Sequence, residues 1–136
     1  MEAHRLREAP RLGFLADASF LLLLAEAPRS FLEQLEALLP GLRLLIIEPV
    51  LEELRALEAR GGRRALRARL ALSFAQGLPR MASEPGEADE ALLATARRLR
   101  LGIASLDEGL IARARALGLP VLRARAGRPL LEGFLP

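Results

Sequence analysis

The stretch Leu101–Leu122, LGIASLDEGLIARARALGLPVL, reads as a strand, a helix and a second strand in immediate succession. Leu101–Ala104 is a short apolar run. Ser105 and Glu108 are spaced as a capping box, with Asp107 inside the first turn. Leu106–Leu117 carries the helix, Gly118 stops it, and Pro120–Leu122 is the next strand. Strands joined through a helix pair in parallel, with helices covering the sheet. The reading also places Asp107 just past the carboxyl end of a strand, the edge at which open α/β sheets take their ligands.

The same pattern extends in both directions. Leu12–Ala16 is a first strand followed by Asp17 and a helix from Ser19 to Glu26, broken at Pro28-Arg29-Ser30. Phe31, Leu35, Leu38 and Leu39 recur at helical spacing, and Pro40-Gly41 closes that helix. Leu42–Ile47 is the most β-like segment. Pro49 suits the first turn of a helix running to about Arg60, and Gly61-Gly62 breaks it. A further helix covers Arg63 to about Gln76. Leu78–Ala82 reads as a short, poor strand, and Pro79 points to an edge or an irregular segment there. Pro85-Gly86 opens a helix to Leu99, and the apolar tail from Pro129 packs back on the sheet. The chain is thus expected to be a single α/β domain over 1–136, with 1–11 a polar N-terminal extension.

Composition narrows the chemistry. The chain has 136 residues, 51% of them hydrophobic, enough for a real core. Cysteine is absent, which removes disulfides, thiolate catalysis and cysteine-ligated zinc. The single histidine, His4, lies in the polar N-terminal stretch, so neither a histidine zinc site nor a Ser-His-Asp triad is expected. The apolar stretch from Leu12 to Ala25 contains Asp17, which argues against a secretory leader, and no run reaches the roughly 20 apolar residues of a membrane span. A cytoplasmic protein with no membrane partner is expected. Every basic side chain apart from His4 is Arg, and Lys and Asn are both absent. Scarce thermolabile residues fit a thermophile, whereas the missing Lys does not. A GC-rich genome accounts for both.

Four acids punctuate the chain: Asp17 in LADASFL, Glu53 in PVLEEL, Asp89 in PGEADEALL and Asp107 in IASLDEGL. Each has an ordinary explanation. Asp17 suits a helix N-cap, and Glu52, Glu53 and Asp89 suit first turns, where the helix dipole favours negative charge by roughly 0.3–1 kcal/mol. Those explanations do not account for the combination. Asp17 and Asp89 lie among apolar neighbours, an unpaired buried carboxylate is costly, and no Lys exists to pair with it. A shared hard cation, Mg²⁺ or Mn²⁺, satisfies all four at once.

In this order and spacing the motifs resemble those of the PIN domain nucleases. LADASFL resembles the family's opening acid motif, PVLEEL selects Glu53 over Glu52, GEADEALL gives Asp89, and IASLDEGL gives Asp107 with Ser105 at a hydroxyl position. The closing LGLPVLRAR and LLEG resemble the branch that includes ribosomal-RNA processing nucleases and some VapC-type toxins. The likeness runs from about Leu12 to Gly133. It implies a Rossmann-like three-layer α/β/α sandwich with a mostly parallel sheet, and hydrolysis of RNA phosphodiesters with one or two Mg²⁺ or Mn²⁺ ions. Asp17, Asp89 and Asp107 would be ligands, Glu53 would hold a water or a second ion, and Ser19 and Ser105 would orient a carboxylate or contact the substrate. Ala18 stands where the family has Thr, and Leu106 where it has a polar residue. The alternative implied by Ala18 is a non-catalytic PIN-like module that binds RNA or scaffolds a complex. An antitoxin protein is the further partner the likeness suggests; oligomer contacts through the apolar stripes Leu21–Leu24 or Leu35–Leu39 would give a homodimer.

Charge is uneven. Between Glu58 and Glu84 stand six arginines (60, 63, 64, 67, 69 and 80) and no acid; between Glu108 and Glu132 stand five more (113, 115, 123, 125 and 128), again with no acid. Arg60, Arg63, Arg64 and Arg67 recur at helical spacing and are expected to hold RNA phosphates. With five Phe and no Tyr or Trp, contacts to backbone rather than stacked bases are expected.

Overall fold

The computed structural model describes residues 13–133; the expected extension 1–11, the first residue of the predicted opening strand and the last three residues lie outside them. Strand β1 (Gly13–Ala16) is buried along its whole length, as a central strand covered on both faces must be. It leads into α1 (Ala18–Glu26) and α2 (Arg29–Leu38), then β2 (Arg43–Leu45), the helices α3 (Glu48–Ala59), α4 (Arg63–Ala75) and α5 (Ala88–Leu99), β3 (Gly102–Ala104), α6 (Glu108–Ala116), and the strands β4 (Val121–Arg125) and β5 (Arg128–Glu132).

The sheet order is β2-β1-β3-β4-β5. The first four strands are parallel and β5 returns antiparallel to β4. This is a three-layer α/β sandwich with a mostly parallel sheet. From β1 the chain moves outward to β2, then crosses back over β1 to lay β3 on its other side. Connections therefore diverge at the β1–β3 seam, and a crevice opens there beyond the carboxyl ends. The seam is tight: a Cβ on Gly102 would lie 2.7 Å from the Pro120 carbonyl oxygen and overlap the Phe14 ring. The core includes Phe14, Phe20, Phe31, Leu15, Leu21, Ile46, Ile47, Leu51, Leu54, Leu92 and Ile103. α5 packs on β1 and β3, α6 on β4, and the two helices touch each other; α1, α3 and α4 pack together.

Several boundaries differ from the sequence reading. Leu78–Ala82 forms no strand; Arg80 makes one isolated bridge to Ile46, with the Met81 N–H donating to the Ile46 carbonyl at 2.8 Å. Pro79 supplies no N–H to extend it. α3 begins one residue before Pro49, so its first-turn acid is Glu48, and Glu53 falls in the second turn. The dipole explanation for Glu53 is thereby removed. β4 runs on to Arg125 and turns directly into β5 through Ala126 and Gly127, both with positive φ (53° and 76°). Two left-handed residues make the tight hairpin turn that matches strand twist. No described helix is long and apolar enough to cross a membrane.

Candidate active site

Asp17 follows β1 and is the N-cap of α1. Its Oδ1 accepts from the Phe20 N–H at 2.9 Å and from the Ser19 hydroxyl at 2.7 Å. Its Oδ2 accepts from the Ser105 hydroxyl at 2.5 Å, across the seam from the end of β3. The Asp17 N–H donates to the Ala104 carbonyl at 3.0 Å, so the backbone is fixed by the same neighbouring strand. The N-cap reading of Asp17 is thus correct, but capping accounts for only one of three donors.

Both serines are bound on their other side. The Ser19 hydroxyl accepts from the Leu106 N–H, and the Ser105 hydroxyl accepts from the Asp107 N–H, each at 2.9 Å. The expected capping box is not formed. Asp107 itself is the N-cap of α6, accepting from Gly109 N–H at 2.8 Å and Leu110 N–H at 3.3 Å. Ser105 is released from capping and turned toward Asp17. The hydroxyl missing at Ala18, itself buried, is therefore not a hydroxyl missing at Asp17.

Burial pushes the Asp17 carboxyl above its ordinary value; the Ser105, Ser19 and Phe20 donors pull it back, and the charge of Asp89 pushes it up again. Glu53, on α3 beyond β2, stands at the solvent-facing rim. Partial desolvation raises its carboxyl, and the charges of Asp17, Asp89 and Asp107 raise it further. Asp89, half-buried in the first turn of α5, is raised by desolvation and then by Asp107, with Arg113 acting against them. Each of these groups thus lies within the electric field of others in the set. As placed, however, no three of the described acids stand close enough together to hold an ion.

The arginines are less free than their sequence suggested. Arg67 pairs with Glu26, Arg69 with Glu58 at 3.2 Å, and Arg80 with Glu48 at 3.1 Å. The acids come from other helices or from the end of the acid-free run, which a local reading cannot see. Arg113 pairs with Glu90, and Arg115 with Glu132. Arg60, Arg63 and Arg64 are exposed and make no ion pair among the described residues. Arg64 and Arg67 line a cleft of about 150 Å³ with Leu22 and Leu57. Leu22 lies one turn beyond Ser19 on α1, and Leu57 one turn beyond Glu53 on α3.

Arg123 was not expected to matter structurally. It is buried on β4 and pairs with Glu108 in the first turn of α6 and with Glu132 on β5 at 3.6 Å. It ties the start of α6, and so the Asp107 cap, to the sheet. Burial is continuous over Val121, Leu122 and Arg123 rather than alternating, so no period in the sequence marked it.

A family model described as a PIN-like domain matches residues 14–127. The chain belongs to the PIN-like domain family. Among solved structures, the PIN domain endonuclease Utp24 is similar at 22% identity and a TM-score of 0.74, over 93% of this chain and 96% of that one. A domain of a functionally unknown protein from Methanocaldococcus jannaschii DSM 2661 is similar at 15% identity and a TM-score of 0.63, over 92% and 99% of the two chains. Comparison with curated protein sequences finds no significant match. In this PIN-like domain Asp17 and Asp107, the N-caps of α1 and α6, follow β1 and β3, between which the strand connections diverge.

Proposed function

We propose that this PIN-like domain is a metal-dependent endoribonuclease acting in RNA processing or as a toxin. The observation that carries the reading is Asp17 at the seam, buried, held by two serine hydroxyls and, among the described residues, without a cationic partner, with its charge and those of Asp89 and Asp107 all acting on Glu53. The endonuclease activity named for Utp24 supports it. Four hard oxygen donors with unfavourable mutual charge suit Mg²⁺ or Mn²⁺. Asp17, Asp89 and Asp107 would hold the ion, with Glu53 at the rim holding a water or a second ion. When bound, the ion supplies Lewis-acid polarisation of the phosphate and a water of lowered pKa. Ser19 and Ser105 keep the Asp17 carboxylate in one orientation. Arg60, Arg63 and Arg64, with Arg67 once it leaves Glu26, hold flanking phosphates along the cleft.

A second reading, a non-catalytic module that binds RNA or scaffolds a complex, is favoured by one observation: no three described acids stand close enough to share an ion as placed. An antitoxin protein or a second copy would be partners in the toxin version. Incubating the chain with mixed structured and single-stranded RNAs under Mg²⁺ or Mn²⁺ titration, with Asp89→Asn alongside, separates the readings. Metal-dependent cleavage lost in the variant supports the nuclease. RNA binding with no cleavage at any metal concentration supports the module.

A further inference from the structure

α4 is apolar on two sides. Ala68, Ala71, Leu72 and Ala75 face the core. Leu66, Leu70 and Phe74 face solvent, 60, 47 and 44% exposed. A surface helix needs one apolar stripe, and these three side chains form a second. Their spacing of four places them in a single row, the kind of ridge that packs in the commonest class of helix pairs. At the helical repeat, Arg63 and Arg67 lie along one side of this ridge and Arg69 along the other. No acid occurs from Gly61 to Gln76. The pairs of Arg67 with Glu26 and Arg69 with Glu58 are solvent-exposed, and such pairs are weak enough to be exchanged for others.

The borders decide between occupants. A second copy meeting this face would set arginine border against arginine border, since neither border of α4 carries an acid, and like charges across an interface are unfavourable. RNA would use the guanidiniums, but the two leucines offer its bases no π face. A protein helix with its own apolar row and acidic borders satisfies both ridge and arginines. We propose that the outer face of α4 docks an acidic amphipathic helix of a partner protein. This inference holds whether or not the acids cleave RNA, with the partner helix and RNA phosphates competing for Arg63 and Arg67.

The probe is a labelled synthetic peptide of about fifteen residues, long enough to hold helical structure, with a leucine row bordered by Glu. It is titrated into the whole chain by fluorescence anisotropy. Saturable binding is expected, weakened at least about tenfold by Leu70→Asp with Phe74→Asp, the scale set by re-exposing buried leucine-sized groups. Arg63→Glu with Arg67→Glu should weaken it similarly and restore binding to a Lys-bordered version of the peptide. Circular dichroism and thermal melting check that each variant folds, as substitutions at exposed positions should allow. No binding, or binding indifferent to the ridge variants, overturns the proposal. So does sedimentation equilibrium revealing a dimer that Leu70→Asp dissociates, which assigns the ridge to a second copy. RNA affinity lost in the ridge variant, with peptide binding unchanged, would likewise overturn it in favour of nucleic acid.

Discussion

The Ser105 hydroxyl donates to Asp17 across the seam between β3 and β1, joining residues 88 positions apart. Asp17 is buried, and a buried carboxylate is tolerated in proportion to the donors it receives. Ser105→Ala removes one donor and leaves the Asp107 N–H without its acceptor. The expected loss is about 1.5–3 kcal/mol of stability, the range for hydrogen bonds to charged groups, read by denaturant titration. Any Mn²⁺-dependent cleavage should fall by roughly 10–100-fold, as when a ligand's supporting partner is removed. A variant with unchanged stability would mean that Ser105 merely fills space.

Asp89→Asn tests the set of acids. The substitution keeps the side-chain shape and removes one charge from a group that desolvation and Asp107 already disfavour. The variant should melt higher than wild type without metal and should lose cleavage. Wild type should gain about 2.7 kcal/mol at a Mn²⁺ concentration a hundred times its dissociation constant, and the variant much less. A variant that cleaves at the wild-type rate reduces Asp89 to a first-turn acid.

The raised carboxyls give stability a definite pH dependence. Asp17, Glu53 and Asp89 all titrate above their ordinary values of 3.8, 4.5 and 3.8 in the folded chain. Across the window from those values up to the raised ones the folded state binds more protons than the unfolded state, so these groups make stability fall as pH rises. Glu48, lowered by Arg55, works in the opposite sense and loses its contribution as pH falls. The comparison is therefore between wild type and Asp17→Asn with Asp89→Asn, melted without metal from acid to neutral pH. The difference should favour the variant increasingly as pH rises. A constant difference would show that the two carboxyls are not raised.

Ala126 occupies a left-handed position at the β4–β5 turn. A Cβ there costs roughly 1–2 kcal/mol relative to right-handed backbone, and Asn before Gly is the favoured pair for this turn. Ala126→Asn should stabilise the chain by a fraction of that roughly 1–2 kcal/mol cost, visible as a higher melting temperature. Cleavage should not change, because the turn lies outside the crevice.

Replacing Arg63 and Arg64 by Gln tests whether these side chains hold phosphates. The slope of log affinity for single-stranded RNA against log salt should flatten by about 0.7 for each phosphate no longer neutralised. Titrations at several ionic strengths measure it, and an unchanged slope would assign these side chains to solvent or to a protein partner.

The alternation of strands and helices was legible because short apolar runs are punctuated by Gly and Pro. The placement of Asp17 and Asp107 at strand ends was legible for the same reason. The hairpin was not, because Ala126-Gly127 lacks the Asn or Asp that signals such a turn, and the chain contains no Asn at all. Ser105 reads as a cap in sequence because Asp107, two positions on, fits the N-cap equally well by type; only the distant Asp17 decides between them. The partners of Arg67 and Arg80 lie on other helices and are invisible to local spacing. The exposed row on α4 was hidden by its helix being apolar on the core side as well, where periodicity alone cannot say which face is outward.

The crossing from β2 over β1 to β3 has a consequence for synthesis. Chains emerge N-terminus first, and non-local parallel pairings form only once both partners exist. Asp17 leaves the ribosome long before Ser105, and the Ser105 backbone is in turn anchored by the Leu122 carbonyl at 3.0 Å. For most of its synthesis the nascent chain carries its first acid without the hydroxyl that orients it or the two later acids beside it. The crevice is therefore completed only when almost the whole domain has been made.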